Sequence, residues 1–130
     1  MFMSDLIRKI STNISIEFIQ IKSYSGKTRG DIVHSDFQKL NLKDKKILIV
    51  EDIIDSGNTI NFIVSNLKKL RPSDLRIVSF LFKPDVYKFT INIDWVAFNI
   101  EDDFVVGYGL DYNQKYRSLG SVYKLMDINE

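Results

Sequence analysis

The 130-residue chain contains no cysteine. That excludes a disulfide framework, thiol catalysis and a thiolate metal site, and it suits a reducing compartment. Histidine occurs once, at His34, with no ligand set around it, so it is read as a structural or exposed residue. No stretch approaches the roughly 20 apolar residues that a membrane helix requires. The first ten residues carry Asp5, Arg8 and Lys9, which interrupt any signal-peptide core. A net charge of +1 offers no electrostatic handle to nucleic acid or to an anionic membrane. The sequence therefore predicts a cytoplasmic protein with neither of those partners.

What is present fits one α/β domain over residues 1–130, with an ordinary 45% of hydrophobic residues. Phe2, Met3, Leu6, Ile7 and Ile10 recur at helical spacing, and Asn13 ends the pattern. "SIEFIQIKS" (15–23) alternates with apolar residues on both sides, which predicts a strand covered on both faces. "YSGKTRGD" (24–31) is a polar loop, "IVHSDFQKL" (32–40) a strand or hairpin arm, and "NLKDK" (41–45) a turn. "ILIV" (47–50) is short and uniformly apolar, as a central parallel strand is. Ile60, Ile63, Val64, Leu67 and Leu70 mark a helix that Pro72 stops. "LRIVSFLF" (75–82) reads as a second buried strand ending at Lys83-Pro84, and "IDWVAFNI" (93–100) as a third, with Trp95 in its packing. Residues 104–119 begin extended and turn irregular, and "SVYKLM" (121–126) closes as a short strand. Alternating strands and helices predict a parallel sheet.

One stretch resists a folding explanation. "ILIVEDIIDSGNTI" (47–60) runs a buried strand into Glu51, Asp52 and Asp55, like charges that repel one another. A turn of small residues follows. Ser56, Gly57, Asn58 and Thr59 place backbone N–H groups and hydroxyls at a helix N-terminus, where an anion is favoured. Gly57 permits close approach or positive φ. The nucleoside-triphosphate loop ending and the dinucleotide glycine pattern are both missing. Carboxylates accept hydrogen bonds from sugar hydroxyls and hold Mg²⁺. A ligand with a phosphate, a ribose and a metal-bound polyphosphate uses every group here. The competing reading is a solvated acidic turn that caps a helix.

"ILIVEDIIDSGNTI" resembles the phosphoribosyl-pyrophosphate motif of the purine phosphoribosyltransferases, in their hypoxanthine-guanine branch. "IKSYSGKTRGDI" (21–32), "LFKP" (81–84) and "DDFVVGYGLDYNQKYRSL" (102–119) agree with it in order, and "FVVGYGLDY" marks the branch. The resemblance implies a type I phosphoribosyltransferase fold, a mostly parallel twisted sheet flanked by helices. It also implies Mg²⁺-dependent transfer of phosphoribose from phosphoribosyl pyrophosphate to hypoxanthine or guanine. The products are IMP or GMP and pyrophosphate, the pathway is purine salvage, and the assembly is a homodimer or homotetramer.

Site roles follow from the same resemblance. Glu51 and Asp52 lie against the ribose hydroxyls and the nearby metal, and Asp55 is the general base or acid at purine N7. Ser56, Gly57, Asn58 and Thr59 hold the 5′-phosphate. Lys83 donates to the purine O6, Phe104 stacks on the base, and the Val105 backbone meets its pyrimidine edge. Asp111 ligates a second Mg²⁺ and Arg117 pairs with pyrophosphate; either could otherwise be a surface salt-bridge member. Ser23 and Tyr24 begin the family's mobile loop, with Gly26 and Gly30 suited to its hinge.

The chain departs from the pattern at its start. "MFMSDLIRKI" corresponds to the helix after a short Leu-Lys-Gly loop, so the family's N-terminal strand and that loop are expected to be lacking. Three explanations compete: a fragment or mis-started frame, a strand supplied by another chain, or a reduced relative folded differently at that edge. The sequence thus also leaves room for a non-catalytic nucleotide-binding or regulatory relative, or an inactive fragment.

Overall fold

Ile60, Ile63, Val64 and Leu67 share one face at helical spacing, and no glycine or proline interrupts them. They form α2, Asn58–Lys69, and all four are buried. Full burial of each such side chain stabilises by roughly 1.5–3 kcal/mol. Lys68 and Lys69 lie in the last turn, where the helix dipole favours cations. Arg71 then takes φ +54° and Pro72 ends the helical path.

The computed structural model describes residues 1–23, 32–33 and 37–126, with the backbone alone for Lys22, Ser23, Ile32, Val33 and Gln38. Two compact units emerge. One comprises Met1–Ser11, Leu48–Gly57 and Arg76–Glu130; the other comprises Thr12–Ile47 and Asn58–Leu75.

The second unit holds α2, the short antiparallel pair β1 (Lys22–Ser23) and β2 (Ile32–Val33), and a 3-10 turn at Phe37–Lys39. Phe37 is buried and meets Phe62 of α2 edge-on, with ring centroids 5.9 Å apart. The predicted strand over 15–23 is a correction. Only Lys22–Ser23 is strand, and residues 13–21 have no regular structure. A strand needs a hydrogen-bonded neighbour, and apolar alternation cannot supply one. Accordingly Ile14, Ile16 and Phe18 are exposed, Phe18 by 87%.

The first unit is built on a sheet of order β3-β4-β5. These strands are Lys46–Ile54, Asp74–Phe82 and Trp95–Asn99, the first two residues of β3 and of β4 belonging to the other unit. β4 and β5 run parallel, with Val78 opposite Trp95 and Phe82 opposite Asn99. Ile49 and Ile54 on β3, and Ile77, Val78 and Leu81 on β4, are buried. Phe80 gathers three rings around itself: Phe2 of α1 (Phe2–Ile7), Phe98 of β5 and Tyr108, at 5.3, 5.6 and 4.9 Å. The remaining strands, β6 (Val105–Val106) and β7 (Tyr123–Lys124), pair antiparallel.

Three expectations change here. The N-terminal helix stops at Ile7, short of Ile10. β4, not β3, is the middle strand of this sheet among the described residues. Among the described residues β5 ends the sheet order with one neighbour and is largely exposed, so it is not a buried strand, and Trp95 is 56% exposed rather than packed.

Asp94 fastens β4 to β5. Arg76 Nη1 and the Ile77 N–H each donate to its carboxylate at 2.8 Å. These donors, the Arg76 side chain first, hold the Asp94 pKa below its ordinary 3.8. A lowered folded-state pKa gives stability that is present above the unfolded value and lost as pH falls through the folded one. Asp94→Asn should therefore cost about 1 kcal/mol at neutral pH. The cost should vanish in thermal melts taken well below pH 3.8; a pH-independent penalty would contradict this role.

Candidate functional site

β3 runs further than its apolar core suggests. Ile53 and Ile54 are β-branched, Ile54 is buried, and the strand continues to Ile54. Glu51 and Asp52 thus lie inside the strand, not in the turn after it. Neighbouring strand residues face opposite ways, which fits a half-buried Glu51 beside an exposed Asp52. Asp52 Oδ1 accepts the Ile53 N–H at 2.8 Å. Burial, and then the charge of Asp52, raise the Glu51 pKa to about 7.

The strand ends in the turn Asp55-Ser56-Gly57, and α2 starts at Asn58. Gly57 is buried with φ +86°, and a Cβ there would collide with the Tyr87 ring and lie 2.8 Å from Phe89 Cδ2. The Lys88 N–H donates to Ser56 O at 3.1 Å, so the aromatic segment is pinned to the turn. Ser56 is half-buried, while Asn58 and Thr59 are exposed at the helix start.

Lys83 follows the last residue of β4. Its N–H donates to Ile54 O at 3.0 Å, which seats it beside the end of β3. The residue is only 7% exposed. The ammonium donates to Asp102 Oδ1 at 3.0 Å and to Asp55 Oδ2 at 3.4 Å. Asp55 and Lys83, two of the residues singled out in the sequence, are therefore brought together.

The segment after β5 carries the rest. Phe104 is 54% exposed and meets Tyr112 edge-on at 5.8 Å, a free ring face rather than a core residue. Val105 pairs through β6 with Lys124. Gly107 takes φ +93°, and a Cβ there would collide with the Ser121 carbonyl oxygen. Asp111 and Arg117 pair with each other at 2.8 Å, and Arg117 also donates to Gly109 O at 2.8 Å. Asp111 further accepts the Gln114 N–H at 2.8 Å. Among the described residues Arg117 pairs with Asp111, Gly109 and Gln114 rather than with the Lys83 group.

A phosphoribosyl transferase domain model matches residues 1–113. The chain belongs to the phosphoribosyltransferase family. Among similar phosphoribosyltransferases is the hypoxanthine enzyme of Haemophilus influenzae, 39% identical over 97% of this chain and 72% of that one. The hypoxanthine-guanine enzyme of Staphylococcus aureus is 41% identical over 92% of this chain and 68% of that one. A solved hypoxanthine-guanine phosphoribosyltransferase from Bacillus anthracis, with HEPES in its active site, superposes at a TM-score of 0.86. It is 34% identical, with 96% of this chain and 75% of that chain covered. The Trypanosoma cruzi hypoxanthine enzyme in complex with IMP gives 0.84 at 31% identity, over 97% and 69%. The fold is that of the type I phosphoribosyltransferases.

Asp102 was not a site residue by sequence. The only signal was an extra acid before Phe104, and no spacing rule reports that a buried lysine reaches it. The aromatic wall behind Gly57 was equally unreadable. Tyr24, Gly26, Gly30 and His34 lie outside the described residues, and Ser23 is described by its backbone in β1.

Gly57 generates a prediction. Gly57→Ala forces both the φ penalty and the clash with Tyr87 and Phe89. It should destabilise by on the order of 2–4 kcal/mol in denaturant unfolding. A loss below about 1 kcal/mol, the low end of the cost of a left-handed non-glycine residue, would show that the turn relaxes freely.

Proposed function

We propose that this chain transfers phosphoribose from phosphoribosyl pyrophosphate to a 6-oxopurine, hypoxanthine or guanine. It gives IMP or GMP and releases pyrophosphate, in purine salvage. The observation that carries the reading is the buried Lys83 ammonium, held beside Asp55 where β3 and β4 end. In open α/β sheets ligands bind outside the carboxyl ends of the strands. A 6-oxo group accepts from an ammonium, whereas the 6-amino group of adenine presents only donors to it.

The residues divide the reaction. The bond from C1′ to pyrophosphate breaks, a bond from C1′ to the purine nitrogen forms, and the purine loses a proton. Asp55 is exposed at the strand end, and its carboxylate is the base that accepts this proton. Lys83 draws charge through O6, Phe104 offers its open ring face to the base, and the Val105 backbone borders it. Ser56, Gly57, Asn58 and Thr59 take the 5′-phosphate at the start of α2. Glu51 and Asp52 accept the ribose hydroxyls. Arg117 reaches pyrophosphate once it leaves Asp111.

Magnesium fits these residues in one way. Among the described residues no group of three or more potential ligands could cage a metal. Mg²⁺ commonly uses one or two carboxylates and completes its shell with water and phosphate oxygens. On the family resemblance Glu51 and Asp52 would hold such an ion, and Asp111 would be a second holder in competition with Arg117. Bound there, the ion would neutralise charge on the leaving pyrophosphate.

We also propose that residues 1–130 act as one phosphoribosyltransferase domain, since the family match runs continuously through segments of both units. A cytoplasmic homodimer or homotetramer completes the reading, on family resemblance. No described helix is long and apolar enough to cross a membrane.

The test is formation of IMP from labelled hypoxanthine, phosphoribosyl pyrophosphate and Mg²⁺. Asp55→Asn should lower kcat by roughly 10²- to 10⁴-fold, the worth of a positioned base, and leave IMP affinity within about tenfold. IMP binding without turnover by the unaltered chain would overturn the enzyme reading. Full activity in Asp55→Asn would remove Asp55 from its role.

A further inference from the structure

Each strand of the β3-β4-β5 sheet delivers one charged residue just past its carboxyl end. Asp55 follows β3, Lys83 follows β4, and Asp102 lies three residues after β5. The three meet at one ammonium, and the two bonds are unequal. Asp102 accepts at 3.0 Å, within the ordinary range for an N–H···O bond, while Asp55 at 3.4 Å lies beyond it.

Asp102 is itself held in place. The Ile100 N–H donates to Phe82 O at 2.8 Å, which ties the chain before Asp102 to the end of β4. On its other side the Asp103 N–H donates to Glu101 O at 2.8 Å, and the Asp103 carboxylate pairs with Lys124 at 2.7 Å. The backbone on both sides of Asp102 is thus tied down, while its side chain is 62% exposed.

We infer that Asp102 is a positioning residue, the principal counter-ion that aims Lys83 at the 6-oxo group and keeps it from closing on Asp55. The inference rests on the function proposed above and names a residue to which that reading gave no role. An ammonium has three donors. Asp102 takes one, Asp55 weakly shares another, and the third is free for an acceptor on the base. A buried ammonium cannot stay unpaired. Without the Asp102 charge, Lys83 shortens its long bond to Asp55. That turns the donor away from the purine and binds up the base that must accept the proton. Asp102 therefore serves two residues through one contact: it directs Lys83 and leaves Asp55 available.

The experiment measures IMP, AMP and phosphoribosyl pyrophosphate affinities of the whole chain by calorimetry, with thermal melts as a folding control. Asp102→Asn should weaken IMP by about 10- to 100-fold, the scale of a lost hydrogen bond to a charged group. It should leave phosphoribosyl pyrophosphate within about twofold and narrow the preference for IMP over AMP. Asp102→Glu should recover most of the loss, because the charge is what holds Lys83. Unchanged IMP affinity in Asp102→Asn overturns the inference and leaves the proposed function standing. Equal weakening of IMP and phosphoribosyl pyrophosphate also overturns it, since that is the mark of a merely structural residue. An unaltered chain that binds no IMP removes both.

Discussion

The burial of one ammonium governs the site. Lys83 is 7% exposed, and an ion so placed must find opposite charge or lose its own. Parallel strands answer that demand, because their carboxyl ends open on the same side and each can deliver one residue to the same point. Asp55 and Asp102 arrive from the two strands that flank β4. Neither carboxylate is buried, so their remaining lone pairs face solvent and carry no desolvation cost comparable to that of the lysine. The outcome is a charged donor in a partly dry setting, and such a donor can tell an oxygen from an amino group.

Two glycines make the backbone around this group feasible. Gly57 turns the chain out of β3 at φ +86° against the Tyr87 and Phe89 rings, and Gly107 turns it at φ +93° under the Ser121 carbonyl. Between them the aromatic segment and the loop after β6 acquire fixed positions. The Lys88–Ser56 and Tyr108–Leu119 backbone bonds, at 3.1 and 2.8 Å, hold the two turns in register. The same economy appears at Phe80, where one ring unites α1, β4, β5 and Tyr108.

Much of this was legible in the chain. The largely apolar run 75–82 marked β4, and the Lys83-Pro84 break after it places the lysine at a strand end. Helical spacing with Pro72 beyond it bounded α2 to within two residues. Family motifs supplied candidate roles, and the Asp55–Lys83 pair brings two of them together. The failures have physical causes. Periodicity reports which residues can form a strand but not whether a neighbour exists, so it predicts a covered strand over 15–23 and a packed Trp95, whereas only Lys22–Ser23 is strand and Trp95 is exposed. Charge was taken as the end of β3, while Ile53 and Ile54 carried the strand past it. Asp102 depends on an ion pair between residues 19 apart, and side-chain reach across strand ends leaves no trace in local pattern.

The repelling acids of β3 affect one another: burial, and then the charge of Asp52, raise the Glu51 pKa to about 7. The most direct measurement is a crystal structure of the chain with IMP. The account predicts the purine O6 about 3 Å from Lys83 Nζ, with Asp102 still paired to that ammonium. A base bound away from Lys83, or a lysine swung out to solvent, would contradict it.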